Sequence, residues 1–66
     1  MSGASEISGV IDEYVLHARD REIMRRSMID GQSYEAIAEA MDISSRTVGN
    51  RVRKWRTTVS GHLHFR

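Results

Sequence analysis

The chain contains no cysteine and no proline. Without thiols there is neither a disulfide framework nor a thiolate zinc site, which fits a reducing, cytoplasmic setting. Without proline nothing locally forbids helix, so an all-helical chain is favoured. No apolar run approaches the roughly 18 residues of a membrane span, and no signal peptide is visible, so no membrane partner is expected. A further absence is local: no acidic residue follows Asp42.

That last absence organises the charge. The net charge of +1 by itself argues weakly against nucleic acid, but its distribution reverses the impression. Residues 1–42 hold all nine acids and four arginines, a net of −5, whereas residues 43–66 hold Arg46, Arg51, Arg53, Lys54, Arg56 and Arg66, a net of +6. A phosphate-contacting surface requires such clustering. The acidic part is expected to stay off DNA and to face a protein. Sixty-six residues make one domain, near the lower size limit for folding unaided. The expectation is a single domain over 1–66, with tails at 1–5 and 61–66.

Residues 33–55 carry most of the information. Ser44 is a good N-cap after Ile43, with Thr47 three residues on. With Val48 set at zero and about 100° per residue, Val52 falls near 40°, Trp55 near 340° and Val59 near 20°. These form a narrow apolar stripe. Arg46, Asn50, Arg53, Lys54 and Thr57 occupy roughly 140–240°, the opposite side, and Arg51 stands at the margin near 300°. A margin position lets an arginine bury its stem and send its charge outward.

A shorter helix precedes this one. Ser33 caps it, Glu35 in its first turn complements the positive helix end, and Ile37, Ala38 and Met41 face inward. Ala38 is small where two steeply crossing helices must meet. Asp42 falls where the turn needs a left-handed residue, a place that usually takes Gly and tolerates Asp. Further upstream, Ile7, Val10, Ile11, Tyr14, Val15 and Ala18 recur at helical spacing, with Leu16 off the stripe, so either the helix ends near Leu16 or a second apolar contact exists there. Asp20 is the expected cap of the next helix, whose inward residues are Ile23, Met24, Ser27 and Met28, with Gly31 as its stop. The fold expected is all-α, a small three- to four-helix bundle containing a helix-turn-helix.

These residues resemble a known family. Ile37-Ala38-Glu39, then Ile43-Ser44, Thr47-Val48 and Arg51-Val52, are similar to the DNA-binding region 4 of bacterial sigma-70-type factors. Asp20-Arg21-Glu22-Ile23 and Gly31-Gln32-Ser33-Tyr34 fit the same pattern, and the likeness spans residues 16–59. It extends to phage late-gene regulators and LuxR-type regulators. Asp42 in place of the turn Gly, and Gly49 inside the recognition helix, depart from the pattern.

The resemblance implies a sequence-specific regulator that binds double-stranded DNA with a recognition helix at about 45–58 in the major groove. Ser45, Arg46 and Asn50 are then expected at base edges, Arg46 suiting guanine and Asn50 adenine. Thr47, Arg51, Arg53 and Lys54 are expected at phosphates, with Ser33 and Tyr34 adding backbone contacts. So small a footprint implies a homodimer, for which the first helix, Leu16 and an apolar latch of Leu63 and Phe65 are the candidate surfaces. No counterpart of the promoter-opening sigma region is visible, so a complete sigma factor is not expected.

Plainer readings stand beside these. The apolar stripe is core and carries no chemistry, and the basic face is also compatible with an ordinary solvated surface. Gly49 is either a weak helix residue or a point of close approach. His62 and His64 lack a third ligand for a metal. No paired carboxylates, phosphate loop or nucleophile constellation stands out, so neither an enzyme nor a cofactor is expected. The competing functions are a protein-interaction module docking on RNA polymerase or another regulator, and a phage packaging or recombination accessory factor.

Overall fold

The computed structural model describes residues 3–63, which form four helices and no strand. In chain order they are α1 (Ala4–Tyr14), α2 (Ala18–Met28), α3 (Tyr34–Met41) and α4 (Ser45–Gly61). Their apolar stripes meet in one core. Val48, Val52, Trp55 and Val59 of α4 pack with Ile23 and Met24 of α2, Ile37 and Ala38 of α3, and Val10 and Ile11 of α1. Helix α4 touches each of the other three, so it is the spine of the bundle. Each such aliphatic side chain contributes about 1.5–3 kcal/mol by leaving water. The all-α bundle with a helix-turn-helix is the architecture anticipated from the pattern.

The helix-turn-helix is built by local chemistry. The Ser33 hydroxyl accepts the Ala36 N–H at 3.1 Å, and the Ser44 hydroxyl accepts the Thr47 N–H at 3.1 Å. Between them α3 ends on Asp42 in the left-handed region, φ 56° and ψ 47°. The Ile43 N–H bonds to the Ala38 carbonyl at 3.0 Å and the Asp42 N–H to the Glu39 carbonyl at 3.4 Å. This is the Schellman pairing, with Asp42 in the place Gly usually takes.

Two expectations about the first half need correction. The stripe from Ile7 to Ala18 is not one helix. Val15 leaves α1 with φ −91° and ψ 110°, yet its side chain turns into the core. Leu16 is thereby left 73% exposed, and Ala18 sits exposed at the head of α2. The chain reverses here to lay α2 against α4, and Arg21 Nη1 donates to the Val15 carbonyl at 2.9 Å across the corner. The second correction concerns Asp20. His17 occupies the N-cap of α2, while Asp20 is 5% exposed and turned towards α4. A long-range partner, described below, outcompetes the local cap.

The arginines of this half are used internally. Arg25 pairs with Asp12, Arg26 Nε donates to Glu22 at 2.8 Å, and Arg19 Nη2 donates to the Met41 carbonyl at 3.4 Å. Gly31, with φ 67°, completes the turn after α2, where the Gln32 N–H bonds to the Arg26 carbonyl at 2.9 Å. At the far end, the His62 ring stacks on Tyr14, centroids 3.6 Å apart and planes within 4°. Leu63, a candidate for the intersubunit latch, packs partly buried against the chain's own core. Phe65 and His64 lie outside the described residues.

Candidate nucleic-acid interface

The outward side of α4 and the head of α3 form one surface. Burial of Val48, Val52, Trp55 and Val59 fixes the rotation of α4, so Ser45, Arg46, Asn50, Arg53, Lys54 and Thr57 all stand exposed. An open, shallow groove runs where α3 starts against α4, lined by Tyr34, Glu35, Ser45, Arg46, Gly49 and Arg53. It gathers four of the residues selected from sequence: Tyr34, Ser45, Arg46 and Arg53. Ser33 and Thr47 sit at the two helix heads, and Arg51 and Lys54 lie outside the groove.

Each polar side chain has a definable state. Among the described residues Arg46 has no side-chain partner, so its five donors are available at the head of α4. Arg53 Nη2 donates to Asn50 Oδ1 at 2.7 Å, one turn apart. The amide group of Asn50 and a second lone pair on its oxygen stay available, which is what bidentate contact to an adenine edge uses. The Thr47 hydroxyl lies 2.9 Å from that of Ser44, and the Ser33 hydroxyl is engaged as a cap. Lys54 Nζ stands 5.0 Å from the centroid of Trp55. That cation–π distance steadies the ammonium without neutralising it.

Arg51 differs from the rest. Its Nε lies 3.8 Å from Asp20 Oδ1, and its side chain is 45% exposed. The other carboxylate oxygen, Oδ2, accepts Trp55 Nε1 at 2.8 Å. The margin position read from the helical angle is thus a position beside a buried acid.

Two features of this surface, Glu35 and Arg56, were missed in the sequence, and at Gly49 the close-approach reading is the one that holds. Glu35 lines the groove as an acid among arginines, although its spacing signalled only a helix-end charge. Gly49 is buried under Tyr34, whose ring carbons lie 3.5 and 3.6 Å from where a Cβ would stand. A glycine inside an otherwise good helix was the available signal for that close approach. Arg56 is exposed and without a partner among the described residues, near 80° on the same helical scale, on the flank opposite Arg51.

The sequence matches the family model described as Sigma-70, region 4 over residues 15–59. The chain belongs to the sigma-70 region 4 family. The match begins as α1 ends and runs through the helix-turn-helix to Val59. Comparison with curated proteins found no match, and comparison with solved structures found none. Sigma-70 region 4 domains are non-enzymatic and bind DNA and RNA polymerase, which gives the chain a general role in DNA binding and transcription. No helix among the described residues is long and apolar enough to cross a membrane.

Proposed function

We propose that this sigma-70 region 4 domain is a sequence-specific transcriptional regulator that inserts the head of α4 into the major groove. The observation that carries this reading is Arg46, exposed and without a partner among the described residues, at the head of a helix whose opposite side is locked into the core. Arg46 and Asn50 read base edges there, with Ser45 beside them. Thr47, Arg53, Lys54 and, after leaving Asp20, Arg51 hold phosphates, with Ser33 and Tyr34 adding contacts at the head of α3. The domain acts in the cytoplasm, and as a homodimer, because one recognition helix covers few base pairs.

A second reading has its own support. All four arginines of the acidic half engage groups within the fold, while Glu13, Glu35, Glu39 and Asp42 stand exposed. Such exposed acids repel DNA, and away from the groove that Glu35 lines they suit a basic partner such as a surface of RNA polymerase. Binding selection from random DNA at physiological salt separates the two. A sharp enriched motif supports the regulator. Uniform weak binding supports an architectural role, and no binding leaves the protein-docking reading.

A further inference from the structure

Asp20 is an acid with almost no access to water, placed against the recognition helix. Burying a carboxylate is unfavourable unless it is paired and hydrogen-bonded. Its two oxygens are used unequally. Oδ2 holds the Trp55 indole N–H at 2.8 Å, a full hydrogen bond that anchors the acid to α4. Oδ1 faces Arg51 Nε at 3.8 Å, close enough for an ion pair and too long for a hydrogen bond. Arg51 is therefore held by charge alone, on a half-exposed side chain at the edge of the DNA-facing surface.

We infer that Asp20 is a positioning residue for phosphate contact: it stands in for a phosphate in the free protein and holds Arg51 at the margin of α4 until DNA displaces it. The inference rests on the DNA-binding reading above. When a backbone phosphate arrives, Arg51 exchanges one anion for another, while the Trp55 bond keeps the carboxylate in place. Arg51 then contributes less to affinity than a free arginine at the same place. Asp20 thereby restrains indiscriminate binding to any duplex, because part of the charge on α4 is already matched.

The test uses the full chain and a short random-sequence duplex, titrated across a range of salt. D20N keeps an oxygen acceptor for Trp55 and removes the charge beside Arg51. It is expected to raise affinity for the duplex about 2- to 5-fold, the span of a partly exposed ion pair. The gain should shrink by at least half in an R51Q background, since it acts through Arg51. An equal gain in both backgrounds, or no gain, overturns the inference. No binding by the unaltered chain even at low salt overturns the DNA-binding reading, and this inference with it. A readout on the unaltered chain guards against misfolding of the variant. The Asp20 carboxyl carbon resonance should move on adding duplex, while the Trp55 indole N–H keeps its hydrogen-bonded shift. A carboxyl resonance that stays put in the bound state contradicts the exchange.

Discussion

The indole N–H of Trp55 donates to the buried carboxylate of Asp20 at 2.8 Å, joining α4 to α2 across 35 positions of sequence. The bond fixes the rotation of α4 at the level where the apolar stripe gives way to the basic side. Trp55→Phe keeps most of the ring packing and leaves Asp20 Oδ2 buried without its donor. That is expected to destabilise the domain by about 1–3 kcal/mol. In a domain of this size the melting temperature then falls by several degrees per kcal/mol, readable by circular dichroism.

Gly49 makes the opposite case. A methyl group there meets the Tyr34 ring at ordinary contact distance, 3.5 Å, and Gly49 has a helical backbone inside α4. Gly49→Ala should therefore stabilise the domain by about 0.5–1 kcal/mol through helix propensity. Thermal melts should show a rise. A fall would mean that the Tyr34 ring cannot accept the added methyl.

Asp42 holds a left-handed conformation that suits glycine better. Asp42→Gly should be neutral to stabilising by up to about 1 kcal/mol, whereas Asp42→Val should destabilise by at least as much. Urea unfolding of the two variants checks the order.

On the DNA side, Arg46→Ala should weaken cognate binding by about 1–3 kcal/mol and relax preference at one base pair. Lys54→Ala should weaken all sequences alike and flatten the salt dependence. Competition binding with cognate and random duplexes distinguishes the two patterns. Variants that both bind like the unaltered chain would mean that the face is wrongly assigned.

What the sequence disclosed follows from the range of each interaction. The caps at Ser33 and Ser44 and the left-handed Asp42 act within a few residues, so local spacing exposed them. The stripe of α4 was legible because one rotation of 100° per residue separates its two faces. Asp20 was misread because its capping preference is local while its actual partner, Trp55, is distant. The end of α1 was misplaced for a similar reason: Val15 keeps the apolar spacing yet leaves the helix to enter the core. Glu35 was legible only as a helix-end charge because the groove it lines exists only where two helices meet.

The most direct test of the DNA-facing surface is an amide chemical-shift map of the full chain during titration with duplex DNA. The predicted result is that the largest shifts fall on Ser33, Tyr34 and residues 45–57, with those of α1 left in place. Shifts concentrated instead on α1 and the acidic faces of α2 and α3, with 45–57 unmoved, would contradict a recognition helix in α4.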